Sequence, residues 1–269
     1  MKKKIIIALL IILFLLIIVF FYNKCFVSHK IKIKEYGITD KKLPSDFHGL
    51  KIVHFSDILY GKSTNLNDIK NIVKKINKLN PDIVVFTGDL FYKDIKINDK
   101  ELLKIKNELK RINAKNEKFV ILGDNDKKYK DKFYTVFNDD FIVLDNESYD
   151  LYNGSSNFIK IVGISDLSKE DEQLKEDTSY KILLIHKPDE VDNLKNKYNI
   201  MLSGHSLGGQ INLPFYGSLI KLKGAKKYIS GKYEINDSTL YVTDGLGTQN
   251  VNMRINNHPK INFYRLYSK

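Results

Sequence analysis

Three short apolar runs, Lys51–Phe55, Asp82–Phe86 and Lys118–Leu122, alternate with amphipathic stretches at Leu66–Leu79 and Lys100–Ile112 and with a polar segment at Lys127–Phe137. The runs have strand length and the stretches a helical apolar period, so the order is strand, helix, strand, helix, strand, helix. Such alternation folds as a sheet with helical cover, an α/β arrangement. It also fixes where chemistry can sit, because ligands of open α/β sheets bind at the carboxyl ends of the strands. Each run is followed there by an aspartate, and Asp57, Asp89 and Asp124, each about 30 residues from the next, converge in space.

Further strands are read at Phe141–Leu144, Phe158–Ile164, Tyr180–Ile185, Ile200–Leu202 and Leu240–Val242, with one helix around 189–196. Strand-rich sequence after an α/β start implies two sheets packed face to face with helices outside. Residues 47–269 fit one domain of that kind. Residues 31–46, charged and containing Pro44, read as a stalk or an edge strand.

Residues 1–30 are set apart by composition. After Lys2, Lys3 and Lys4 comes an uncharged, proline-free run from Ile5 to Tyr22 whose eighteen residues, at about 1.5 Å each, reach roughly 27 Å, close to the hydrocarbon thickness of a bilayer. Bulky residues, Phe20, Phe21 and Tyr22, stand where a cleaved leader carries small ones, so residues 1–30 read as an uncleaved single-pass anchor in the lipid bilayer of the cell membrane. Lysines flank both ends, and the positive-inside rule leans toward an extracytoplasmic domain. Cys25, the only cysteine, excludes an intrachain disulfide. Setting aside the five bases of the first thirty positions lowers the formal charge from +12 to +7 (39 bases minus 32 acids). The remaining bases are scattered lysines apart from Arg111, Arg254 and Arg265, which disfavours a nucleic-acid partner.

A glycine-aspartate turn after a strand means little alone, since both residues are ordinary turn formers. Here the turns occur as an ordered set: Ser56-Asp57-Ile58-Leu59, Thr87-Gly88-Asp89, Gly123-Asp124-Asn125-Asp126, His186 at the end of a strand, and Ser203-Gly204-His205-Ser206-Leu207-Gly208-Gly209-Gln210. Carboxylate oxygens and imidazoles together suit borderline transition metals. In this order the motifs resemble the calcineurin-like metallophosphoesterases, in particular a membrane-associated branch whose last loop reads Gly-His-Thr-His-Gly-Gly-Gln. The likeness extends to Ile211-Asn212-Leu213-Pro214, to Gly245-Leu246-Gly247-Thr248 and to Arg254, and covers about residues 47–268.

The resemblance implies a four-layer α-β-β-α sandwich of two mixed sheets. It also implies two metals roughly 3.5–4 Å apart that share an aspartate, activate water and clamp a phosphoester. Asp89 takes the bridging position. The first loop of the family carries Asp-x-His and the last Gly-His-x-His; the histidine of the first and the second histidine of the last serve one metal, and here they are Leu59 and Leu207. The other metal keeps Asp89, His186, His205 and Asp124, the last in place of an asparagine, with Asp57 beside them. Asn125 stands where the family has a catalytic histidine, and Arg254 is a candidate phosphate contact. An asparagine cannot transfer a proton near neutral pH, a loss of about 10²- to 10⁴-fold. The implied protein is a membrane-anchored phosphoesterase domain holding one divalent metal (Mn, Zn, Fe or Ni), weakly active or inactive. Two alternatives stand beside it: a single-metal hydrolase of phosphoesters near the membrane, with Asp124 or Asp126 polarising water, and a non-catalytic scaffold or ligand-binding domain.

Overall fold

The computed structural model describes residues 2–170 and 179–269. Its first element, α1 (Lys2–Tyr22), is apolar on every side and touches none of the folded domain along its apolar window. Twenty-one residues at about 1.5 Å each give a rod of about 31 Å, long and apolar enough to cross a membrane. The helix loosens into a π-turn at Asn23–Val27, where the Asn23 carboxamide donates to Val19 O at 2.8 Å and the Ser28 hydroxyl to Asn23 O at 2.9 Å.

β1 (Lys32–Asp40) follows. Then comes the alternation read from the sequence: β2 (Lys51–Phe55), α2 (Leu66–Lys78), β3 (Ile83–Phe86), α3 (Asp99–Leu109), β4 (Glu117–Val120), the short α4 (Asp124–Lys127) and α5 (Lys130–Phe137). α2 starts where Asn65 accepts from the amides of Asn67 and Asp68 while Asp68 accepts from Asn65 N, a reciprocal cap. It buries Ile69, Ile72, Val73 and Ile76, one face at helical spacing. The second half supplies β5 (Ile142–Val143), β6 (Glu147–Tyr152), β7 (Phe158–Ile164), β8 (Tyr180–Ile185), β9 (Ile200–Ser203), the hairpin β10 (Asn212–Leu213) and β11 (Gly217–Ser218), then β12 (Gly231–Ile235), β13 (Ser238–Val242) and β14 (Lys260–Ser268).

These strands form two six-stranded mixed sheets, in the orders β1-β14-β2-β3-β4-β5 and β12-β13-β9-β8-β7-β6. In the first, β2, β3, β4 and β5 run parallel; in the second, β13, β9, β8 and β7 do. Ile52, Val85, Phe119 and Ile121 of one sheet meet Ile161, Ile182, Leu184 and Leu202 of the other in a shared core. On the outer face of the first sheet, Val53, Val84 and Val120 pack with α2, α3 and α5. The outer face of the second, with Val162, Leu183 and Met201, is covered by Val191, Tyr198 and Tyr228.

Two differences from the sequence reading have plain causes. The helix placed at 189–196 is a 3₁₀ segment, Pro188–Asn193, because its acids are engaged elsewhere: Asp189 accepts from the amides of Lys226, Lys227 and Tyr228, and Asp192 holds the Lys227 amine and the Tyr228 hydroxyl. Residues 31–46 carry the edge strand, one of the two alternatives read for them, but it belongs to the first sheet, which therefore begins at Lys32, before the boundary drawn at residue 47. β1 pairs in parallel with β14 from Lys32↔Lys260 to Asp40↔Ser268. A 3₁₀ turn at Ser45–Phe47 then drives Phe47, fully buried, into the core between the sheets. Phe47→Ala is therefore expected to lower the unfolding free energy by about 3–5 kcal/mol in denaturant titrations of the detergent-solubilised chain. A loss below about 1 kcal/mol, the level of an ordinary surface substitution, refutes this packing role.

Candidate metal centre

Six loops meet at one end of the molecule, each leaving the carboxyl end of a parallel strand: those after β2, β3 and β4 in one sheet and after β8, β9 and β13 in the other. They approach closely. A Cβ on Gly123 would stand 2.3 Å from Asp89 N, so no side chain fits there. Residues other than glycine around the site take positive-φ backbones, among them Asp57 (φ 53°), Leu59 (52°), Asp89 (62°), His205 (66°) and Leu207 (51°). Each such residue costs on the order of 1–3 kcal/mol, and such strain gathers at functional sites.

His186 and His205 are held by carbonyls. His186 Nδ1 lies 2.7 Å from Thr87 O and His205 Nε2 2.9 Å from Lys223 O. A carbonyl only accepts, so both ring nitrogens must carry hydrogen, and the lone pairs of the opposite nitrogens point inward. Those nitrogens, His186 Nε2 and His205 Nδ1, are 3.2 Å apart, with Asp89 Oδ2 3.4 Å from the former. Two lone pairs and a carboxylate in contact require a cation or a proton between them. Without a metal the His186 ring takes the proton: burial opposes its charge, but Asp89 beside it prevails and raises its pKa. Burial, and then the charge on His186, hold the His205 pKa down. The ligand atoms of Asp89, His186 and His205 all lie within 4.8 Å of one another. The three fit one divalent ion: two imidazoles fixed by carbonyls and one carboxylate make a borderline donor set.

The remaining residues picked from the sequence surround this trio. Asp124, half-buried at the start of α4, forms a 2.9 Å ion pair with Lys187, which follows His186 directly. Burial alone would raise its pKa, yet the Lys187 bond and the neighbouring histidines lower it. Asn125 clamps Asp89, its backbone amide donating to Oδ1 at 2.9 Å and its carboxamide to Oδ2 at 2.6 Å. Asp57, 1 % exposed, accepts from the Ser56 hydroxyl and from His205 N at 2.9 Å, and burial raises its pKa. It falls outside the trio that shares a ligand sphere. Asp126 has no access to a water for chemistry: fully buried, it accepts from the amides of Asp89, Phe91 and Gly123 and ties the two loops together. His54 is no substitute ligand either. It packs between Thr87 Oγ1 (2.9 Å) and the Tyr264 hydroxyl (3.2 Å), and burial pushes its pKa down to about 3.

Leu59 and Leu207, each 1 % exposed, lie near Asp57, held against it through Gly245 and Gly247. A Cβ on Gly245 would meet Asp57 Cβ at 2.9 Å and Leu207 Cδ2 at 3.0 Å, and one on Gly247 would meet Leu59 Cβ at 2.8 Å. Arg254 lies beneath this wall, and here the sequence reading is corrected. The guanidinium is fully buried and donates to Leu207 O, Asp244 O, Gly245 O and Gly247 O, so no donor faces a phosphate. Asn257 assists by donating to Leu207 O at 2.8 Å and Gly208 O at 3.0 Å. Sequence reasoning missed Lys187, although the aspartate at position 124 was a signal: an extra negative charge in a buried loop calls for a cation nearby.

Two mixed sheets that gather aspartates and histidines at their carboxyl ends define a metallophosphoesterase-like fold. The family model for calcineurin-like phosphoesterases matches residues 50–209. The chain is 31% identical to the uncharacterized metallophosphoesterase YkuE of Bacillus subtilis, over 92% of this chain and 89% of that one. It is 29% identical to the uncharacterized metallophosphoesterase Cj0846 of Campylobacter jejuni, over 85% of this chain and 62% of that one. With the UDP-2,3-diacylglucosamine pyrophosphatase LpxG of Chlamydia trachomatis it shares 30% identity, over 76% of this chain and 81% of that one. The chain therefore belongs to the calcineurin-like phosphoesterase family, whose fold takes divalent metal.

The bracing assigned to Arg254 has a measurable consequence. Arg254→Lys offers one ammonium to four carbonyls, and stability should fall by about 3 kcal/mol as buried acceptors lose their partners. Equal denaturation midpoints for variant and wild type contradict the bracing role.

Proposed function

We propose that this chain is a membrane-anchored phosphoesterase-family protein that holds a single divalent metal and hydrolyses phosphoesters slowly or not at all. Asp89, His186 and His205 are its ligands, and Asp124 becomes the fourth when it leaves Lys187. Asp57 contributes from the edge of the site. The observation that carries the reading is the pairing of an intact inward-facing trio with two buried leucines. Hydrocarbon at Leu59 and Leu207 offers no lone pair where a second ion would need two imidazoles. The donor set suits manganese, zinc, iron or nickel, and a metal bound there supplies Lewis-acid polarisation of a phosphoryl oxygen.

Around that ion the protein side chains have limited chemistry. Asn125 holds Asp89 in place and can donate a hydrogen bond to a phosphate oxygen, but it cannot pass a proton to a leaving group. Lys187, on Asp124, supplies positive charge beside the ligand pocket. α1 serves as the anchor, which places the pocket near a bilayer. The LpxG relative suggests the first ligand class to try, a pyrophosphate carried on an acylated molecule.

Two measurements test the reading. Elemental analysis of protein purified without chelator should find one metal ion per chain; two ions per chain overturn the single-site assignment. The triple variant Leu59→His, Leu207→His, Asn125→His should raise turnover of model phosphodiesters and pyrophosphates by about 10²- to 10⁴-fold. Natural protein that already turns over at the rate of the restored variant removes the case for a degenerate site.

A further inference from the structure

Outside α1, the large apolar side chains that stay exposed among the described residues are seven: Leu103 and Tyr152 stand apart, while Leu213, Phe215, Tyr216, Leu219 and Val251 lie together in the β10–β11 hairpin and the loop that supports it. The hairpin follows the His205 loop directly, and its tip, Pro214-Phe215-Tyr216-Gly217, points two aromatic rings into solvent, with Tyr216 75% exposed. Phe215 takes a left-handed backbone (φ 65°) at this turn, and its ring is exposed.

We propose that this hairpin is a second membrane contact, which seats Phe215 and Tyr216 in the headgroup and upper acyl region of the bilayer that holds α1. The inference rests on the anchor reading made above and adds the orientation of the domain to it. Continuity with the anchor argues for a bilayer as the occupant. The segment 251–258 joins the two: Asn212 N donates to Ile255 O and Asn256 to Asn212 O at the hairpin base, while Arg254 N donates to Ser28 Oγ and His258 Nδ1 pairs with Val27 O at the foot of α1. A few residues of one braced segment thus separate the aromatic tip from the point where the helix enters the domain. Charge adds to the fit. Lys221, Lys223 and Lys226 are exposed just after the hairpin, suiting anionic headgroups around an apolar insertion. Aromatic side chains with adjoining cations are the composition found at membrane–water interfaces. The segment just after the hairpin also reaches the metal loops, since Lys223 O is the carbonyl that holds His205.

The chain has no tryptophan, so a single introduced indole reports its own surroundings. The full chain is reconstituted in vesicles of phosphatidylcholine and phosphatidylglycerol as Phe215→Trp, as Tyr216→Trp in case the first variant misfolds, and as Tyr152→Trp. Tyr152 pairs with Phe158 at the amino end of β7, opposite the metal loops, and serves as the reference. Lipids brominated near the glycerol end of their acyl chains should remove most of the emission from the two hairpin reporters, which should also be blue-shifted, and leave the Tyr152→Trp emission unchanged. Hairpin reporters that emit as in water and escape quenching overturn the proposal, as does equal quenching of the Tyr152→Trp reporter. Alkaline extraction of the wild-type chain reads the anchor separately: release into the supernatant overturns the anchor reading, while the reporters still decide the hairpin.

Discussion

The hydrogen bond from His186 Nδ1 to Thr87 O, 2.7 Å long, joins the carboxyl end of a strand in one sheet to the loop of a strand in the other. It does two things together. It sets the tautomer that turns Nε2 toward Asp89 and His205, and it fixes the spacing of the two sheets at the end where every site loop emerges. Asp126 reinforces the same corner by accepting three amides from two loops of the first sheet. Were the ring free to flip, the inward lone pair would be lost and the trio would no longer be a ligand set.

The leucines at 59 and 207 retain the left-handed backbones of their loops. A γ-branched apolar residue gains nothing locally from that conformation, which Gly, Asn and Asp tolerate far better. The strain is therefore imposed from outside. Arg254 and Asn257 grip the carbonyls of Leu207 and Gly208, and Ile58 O accepts from the Thr64 hydroxyl at 2.6 Å. Both loops thus keep strained backbones while presenting hydrocarbon side chains.

How far the sequence could be read depended on the scale of the interaction. Strands and helices whose apolar faces are continuous, such as Lys51–Phe55, Ile83–Phe86 and the α2 stripe, follow from local periodicity alone, and so does the convergence of Asp57, Asp89 and Asp124. Edge strands were harder: β6 (Glu147–Tyr152) and β12 (Gly231–Ile235) mix charged with apolar residues because one side of each is open to solvent, and their pattern resembles loop sequence. Arg254 was misread because an arginine near a phosphate site suggests an anion, whereas its partners are carbonyls that no motif displays. The link of Asp124 to Lys187 spans 63 positions, and nothing local announces it.

The pairing of β1 with β14 sets an order for assembly. β1 lies at the sheet's edge, and among the described residues its partner strand is β14, whose paired positions come 228 residues later. Until β14 has been made, the backbone groups of β1 that pair with it have no partner strand in the sheet. Closing so long a loop is slow compared with local folding. The lysines and the glutamate of Lys32-Ile33-Lys34-Glu35 keep that waiting edge charged, which disfavours pairing with a neighbouring nascent copy.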